Sequence, residues 1–99
     1  MIYSPSGVMI EIIGNCGIHN AEVARTASGK KLMGRRHLAW VRYSDGTVGY
    51  MFTEEMASWG GLEVIGRAYA RAPMITLPAP ELRRAIQAAC SVQWAYAAR

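Results

Sequence analysis

The sequence predicts an α+β fold: a small antiparallel sheet of about four or five strands, curled or barrel-like, with a C-terminal helix packed across it. Three observations support this prediction: two apolar strands flank an Asp-Gly pair near the middle of the chain, a β-branched run lies near its start, and helical periodicity marks its end. No repeat or linker divides the 99 residues. We therefore expect a single domain spanning residues 1–99.

The first predicted strand runs from Val8 to Ile13, where β-branched residues dominate. The next three residues, Asn15-Cys16-Gly17, are predicted to form a turn. Asn20 is a favourable helix N-cap, so residues 21–28 are predicted to form a short helix, although their pattern also fits a strand.

The hairpin is the strongest local feature. Its strands, 37–44 and 47–52, flank Asp45-Gly46, a pair that favours a two-residue type I′ turn. This turn predicts a register in which Ser44 faces Thr47 and Trp40 faces Met51. The apolar face then carries Tyr43, Val48, Val41, Tyr50, Ala39 and Phe52, and the mixed face carries Ser44, Thr47, Arg42, Gly49, Trp40 and Met51.

Residues 53–72 are predicted to form a short helix and then a strand. Thr53 is a suitable cap for the helix, which breaks at Gly60-Gly61. A strand is predicted to open at Leu62, with a bulge at Gly66. Beyond the bulge, the alternation predicts one face with the side chains of Arg67, Tyr69 and Arg71.

The last predicted element is a helix over Pro80–Ala98. Proline suits the first helical position, and the apolar residues recur at helical spacing. The many alanines of this helix allow another backbone to approach closely, either the sheet or the same helix of a second copy. We expect the protein to form a homodimer. The predicted dimer interface contains Ala89, Trp94, Tyr96 and Ala97.

The positive charge is concentrated in one segment. The chain has a formal net charge of +4, and residues 23–44 contain no acidic residue. Such a segment attracts anions, or it serves as a solvated face that keeps the protein soluble. Its six basic residues are Arg25, Lys30, Lys31, Arg35, Arg36 and Arg42.

No group of residues has the spacing of a known catalytic or metal site. Cys16, His19, His37 and Cys90 offer a Cys₂His₂ set, but zinc sites usually combine two closely spaced ligand pairs. Cys16 as a nucleophile lacks an identifiable orienting group. Residues 28–31 lack the spacing of a phosphate loop. We therefore expect no metal, no cofactor and no enzymatic activity.

The functional prediction is a small protein that binds single-stranded nucleic acid or RNA. Arginines would contact phosphates while aromatic rings stack on bases. The alternative is a protein–protein interaction module, such as an adaptor or a small inhibitor, including one encoded by a mobile element. No signal peptide or membrane span is evident, and we expect a cytoplasmic protein with reduced cysteines. The predicted nucleic-acid site contains Arg35, Arg36, Trp40, Arg42, Arg67, Tyr69 and Arg71.

Overall fold

A computed structural model describes residues 2–4, 7–21 and 32–97, with side chains described through residue 88 except at positions 58 and 60. These residues form strands and helices in two consecutive blocks, which confirms the α+β class. The strands are β1 (Ile2–Tyr3), β2 (Met9–Asn20), β3 (Arg35–Tyr43) and β4 (Val48–Phe52). The helices are α1 (Thr53–Gly60), α2 (Leu62–Arg71) and α3 (Ala79–Ala97).

The strands form one antiparallel sheet in the order β1-β2-β3-β4. The predicted antiparallel sheet is therefore confirmed, but it is open rather than closed into a barrel. β1 and β4 lie at its edges. The outer edge of β2 is partly covered beyond β1, since Asn15 exchanges backbone hydrogen bonds with Pro73 and Ile75.

Helices cover both faces of the sheet. α1 and α2 pack on the face that presents Ala39 and Val41 of β3, while α3 packs on the face that presents Leu38. Because side chains alternate along a strand, β3 contributes to both cores. The first core also contains Ile2, Val8, Ile10, Ile12, Tyr43, Met51, Met56 and Ile65. The second also contains Cys16, Ala21, Leu32, Phe52 and Ile86.

The hairpin forms where the sequence predicts it, but the predicted register is wrong by one residue. Tyr43 accepts a hydrogen bond from the Gly46 amide at 2.9 Å and donates its own amide to Thr47 at 2.8 Å. The loop therefore has three residues, with Gly46 in the left-handed region at φ 89°. Trp40 consequently lies opposite Tyr50 instead of Met51. Every β4 side chain lies on the face opposite to the predicted one.

Two glycine substitutions should change stability in opposite directions. Gly46→Ala is expected to cost about 1–2 kcal/mol, because a side chain disfavours the left-handed backbone. Gly66→Ala is expected to add about 0.5–1 kcal/mol, because Gly66 lies inside α2 and an added Cβ meets no atom within 4 Å. Thermal unfolding measures both. Equal shifts in Tm would contradict the three-residue loop.

β2 extends through the segment predicted to be a turn. Irregularities between Ile12 and Gly14 and between Asn15 and Ile18 let the strand continue to Asn20. These bulges explain why Asn15-Cys16-Gly17 resembles a turn, because a bulge and a turn require similar backbone conformations. Asn20 is the last residue of β2. The predicted helix over residues 21–28 lies outside the described residues apart from Ala21.

Residues 62–71 form α2 where a strand was predicted. Leu62, Ile65 and Tyr69 recur at helical spacing, and the acidic Glu63 and basic Arg71 suit the first and last turns of a helix. The alternation that suggested a strand is local to the second half of this segment. Tyr69 therefore does not share a face with its neighbouring arginines.

The other two helices confirm the sequence predictions. α1 begins at Thr53, with Phe52 rather than Thr53 as the N-cap, and α3 differs from the predicted helix by one residue at each end. The side chains of Ala89, Trp94, Tyr96 and Ala97 lie outside the described set. The predicted dimer interface therefore stays a prediction, as does the cytoplasmic location.

Candidate functional site

The arginines at the start of β3 border a cleft of about 310 Å³. β3 enters the sheet at this point, and the chain returns beside it as α1 and α2. The basic side chains of β3 therefore lie next to the start of α1 and to an apolar surface. The cleft is lined by Arg35, Arg36 and His37 of β3, Thr53, Glu54 and Ala57 of α1, and Leu62 and Ile65 of α2.

One carboxylate in this cleft is paired with one of its arginines. The Arg36 guanidinium lies 3.0 Å from the Glu54 carboxylate and also donates to the Met33 carbonyl at 2.9 Å. Both partners of the ion pair are about half exposed, so solvent screens their attraction. Arg35 has no carboxylate within ion-pair distance among the described residues. The cleft therefore keeps an excess of positive charge.

A second, smaller cleft of about 220 Å³ lies along α2. Arg67 and Arg71 stand one helical turn apart there, beside Val64 and Ala68. Arg67 lies 3.7 Å from Glu63 in an exposed pair, a contact that contributes little in water. This cleft presents two guanidiniums on one side of a rigid helix.

Tyr69 points away from these two arginines and joins α2 to the sheet. Its hydroxyl donates to the Leu38 carbonyl at 3.3 Å, and its ring meets His37 edge to face with ring centroids 5.7 Å apart. Burial raises the pKa of the Tyr69 hydroxyl, and a hydrogen bond with the Gly17 backbone opposes this shift. Tyr69 thus bridges β2 and β3 where the β2 bulge interrupts their ladder.

Trp40 and Arg42 lie on the other face of the sheet. The Trp40 ring stacks on Tyr50, with centroids 6.3 Å apart and planes 15° apart, and it packs against the core under α3. Arg42 lies 3.9 Å from Glu11 on the neighbouring strand. The structure therefore does not bring these two residues together with the arginine clefts.

The predicted site thus separates into two arginine clefts, the pair of Trp40 and Arg42, and Tyr69 by itself. Arg35 and Arg36 share one cleft, and Arg67 and Arg71 share another, both bordered by α2. The aromatic residues Trp40 and Tyr69 pack against different cores on opposite faces of the sheet.

The described cysteine and histidines considered for chemistry do not gather into one site, and the side chain of Cys90 lies outside the described residues. Within the part of the chain that the structure describes, no three His, Cys, Asp or Glu residues form a metal-binding group. Cys16 is buried, which raises the pKa of its thiol to about 11. A protonated, enclosed thiol is a poor nucleophile near neutral pH. His19 contacts the Cys16 carbonyl instead of the sulfur.

The roles of three cleft residues could not be predicted from the sequence. His37 was considered only as a metal ligand, although its position directly after Arg35-Arg36 is a signal for a basic site. Glu54 follows the predicted cap Thr53, where a carboxylate is also expected simply as a favourable charge at a helix start, and no local pattern connects it with Arg36. Leu62 was assigned to a strand, which concealed its exposure beside the cleft.

No helix in the described ranges is long and apolar enough to cross a membrane. No protein-family model matches the chain, and neither a curated protein nor a solved structure shows significant similarity to it. The functional argument therefore depends on the geometry and charge of the two clefts.

Proposed function

We propose that this protein binds single-stranded nucleic acid, without catalysing a reaction, through the side of the sheet covered by α1 and α2. One observation carries the proposal: the helix that presents Arg67 and Arg71 also forms a wall of the cleft that contains Arg35 and Arg36. Four arginines thus border two clefts, and residues of one helix line both of them.

The spacing of these clefts suits a short stretch of backbone. A ten-residue helix is about 15 Å long. Leu62 at its start belongs to the first cleft, and Arg71 at its end belongs to the second. These two residues are nine positions apart, about two and a half turns, and so lie on opposite sides of α2. A single strand that crosses over α2 would place phosphates near both groups of arginines, which hold phosphate oxygens through paired N–H donors.

The competing carboxylates do not prevent phosphate binding. Glu54 and Glu63 each face one arginine, but both pairs are solvent-exposed, and exposed pairs contribute about 0–1 kcal/mol. Arg35 and Arg71 have no carboxylate partner within the described ranges. These two arginines are therefore the first expected phosphate contacts.

The apolar and aromatic surfaces of the first cleft favour a single strand over a duplex. The His37 ring is exposed, and Leu62 is 78% exposed beside it. Such surfaces cover the face of an unstacked base, whereas a duplex keeps those faces stacked inside. Trp40 and Tyr69 have no part in this proposal, because both are packed against the sheet.

The experiment is a fluorescence titration of strands of about 12 nucleotides as single-stranded RNA, single-stranded DNA and duplex DNA, at low and near-physiological salt. We expect micromolar binding of a single strand with a steep salt dependence. Replacing both Arg35 and Arg71 by alanine should reduce affinity about tenfold or more and lower the salt slope by roughly 1.4, since each single-strand phosphate contact contributes about 0.7.

The matched control replaces Arg83 and Arg84, two exposed arginines of α3 on the other side of the sheet, by alanine. This variant has the same change in net charge. An equal loss of affinity in both double variants would show a nonspecific effect of charge and contradict the assigned surface. No binding by the unaltered protein at low salt would refute the proposal and favour the protein–protein alternative.

A further inference from the structure

We infer that the cleft between β3, α1 and α2 binds a phosphomonoester attached to a nucleoside, as found at the end of a nucleic-acid strand. This inference rests on the proposed function and identifies a subsite within it. The phosphate would lie among Arg35, Arg36 and His37, and the nucleoside would lie over Leu62.

The charge of the cleft suits a terminal phosphate better than a backbone phosphate. A phosphomonoester carries a charge of about −1.5 to −2 at neutral pH and has three acceptor oxygens. Two arginines and a histidine line this cleft, together with one carboxylate, that of Glu54. A backbone phosphodiester, with one charge, would use only part of this donor set.

The start of α1 adds further donors on the same side. Phe52 is the N-cap and forms no side-chain hydrogen bond to the helix, while Thr53 and Glu54 line the cleft. The first amides of a helix lack internal partners and favour an anion. Glu54 and Glu55 in the first turn offset part of this preference, so the arginines are the main source of attraction for an anion.

The floor of the cleft supplies an apolar surface next to the charged rim. Ala57, Leu62 and Ile65 form this floor, and Leu62 is unusually exposed for a leucine. A volume of about 310 Å³ lies at the small end of ligand pockets, which range over about 300–1,000 Å³. This size accommodates one nucleotide, and the strand would then cross over α2 toward Arg71.

The experiment compares strands of one sequence with a 5′ phosphate, a 3′ phosphate or hydroxyl groups at both ends, together with the free nucleoside 5′-monophosphate. We expect a phosphate at one end to increase affinity roughly tenfold, the effect of one good charged contact. Arg35→Ala should abolish this preference. Arg71→Ala, the matched control, should weaken all strands alike and keep it.

A second variant is expected to strengthen phosphate binding in the cleft instead of weakening it. Glu54→Gln removes the carboxylate that competes for Arg36, so the phosphorylated strand should bind about threefold tighter or more. Circular dichroism would verify that the variant stays folded. Weaker binding of the phosphorylated strand by this variant would overturn the inference.

The failures of the two proposals are distinguishable. Equal affinity for phosphorylated and hydroxyl-ended strands would overturn the terminal subsite and leave the proposed function standing. Binding of the free nucleotide, lost in Arg35→Ala, with no binding of any strand would support the phosphomonoester chemistry and overturn the proposed function. No binding of any of these ligands would overturn both.

Discussion

Asn15→Asp is expected to destabilise the protein by about 3 kcal/mol or more at neutral pH. Asn15 is 8% exposed, and its side-chain amide donates to the carbonyls of Tyr69 at 2.9 Å and Ala72 at 2.8 Å. These two bonds attach the end of α2 to β2. An aspartate has almost the same shape, but it would direct a buried negative charge at two carbonyl oxygens.

The loss of stability caused by Asn15→Asp should depend on pH. Burial and the facing carbonyls disfavour the charged carboxyl, so the pKa of the introduced carboxyl in the folded variant should exceed its unfolded value of about 3.9. The folded state then binds more protons than the unfolded state between these two values. Its stability therefore falls as pH rises through this interval and is constant above it. The variant should be most stable, relative to the unaltered protein, in acid.

Denaturant unfolding of both proteins between about pH 3 and pH 8 measures this effect. Gln87→Glu makes the same chemical change at an exposed position of α3 and should alter stability by less than about 0.5 kcal/mol. A loss in Asn15→Asp no larger than in this control, or one that does not vary with pH, would contradict the described hydrogen bonds.

Ile86→Ala is expected to cost about 2–4 kcal/mol. Ile86 is 3% exposed and is the buried side chain by which α3 reaches the core of Leu38 and Phe52, among the α3 side chains that the structure describes. Truncation would remove buried apolar surface and leave a cavity between the helix and the sheet. The effect should appear in chemical denaturation as a lower midpoint with a cooperative transition.

Arg84→Ala on the same helix is the control, since Arg84 is exposed and alanine is a strong helix former. We expect it to change stability by less than about 0.5 kcal/mol. If α3 covers its own sheet, the effect of Ile86→Ala should not depend on protein concentration. A midpoint that rises with concentration would instead place α3 in contact with a second copy.

The location of the hairpin could be predicted from sequence, but its register could not. An Asp-Gly pair fits both a two-residue turn and a three-residue loop with glycine in the left-handed region, and the choice moves the second strand by one residue. Packing provides the missing information. Gly49 packs against the Tyr43 ring, and a Cβ added to Gly49 would stand 3.2 Å from a carbon of that ring. This position on the core face therefore requires a residue without a side chain.

The second half of α2 shows a similar limit. Arginines and alanines around Tyr69 alternate as in a strand, yet the same residues also fit a helix. Contacts far along the chain favour the helix, because Tyr69 reaches the Leu38 carbonyl at the β2 bulge and Asn15 binds the carbonyls at the helix end. A ten-residue segment of sequence contains no information about these distant contacts.

By itself the sequence determined the α+β class, the antiparallel hairpin, α1, α3 and a basic segment entering β3, because each depends on local propensity or charge. Only the tertiary structure decided which arginines share a surface. The return of the chain through α1 and α2 places Glu54 and Leu62 beside Arg36, and sheet alternation sends Trp40 to the opposite face. Residues that come together only through folding leave no periodic pattern in the sequence.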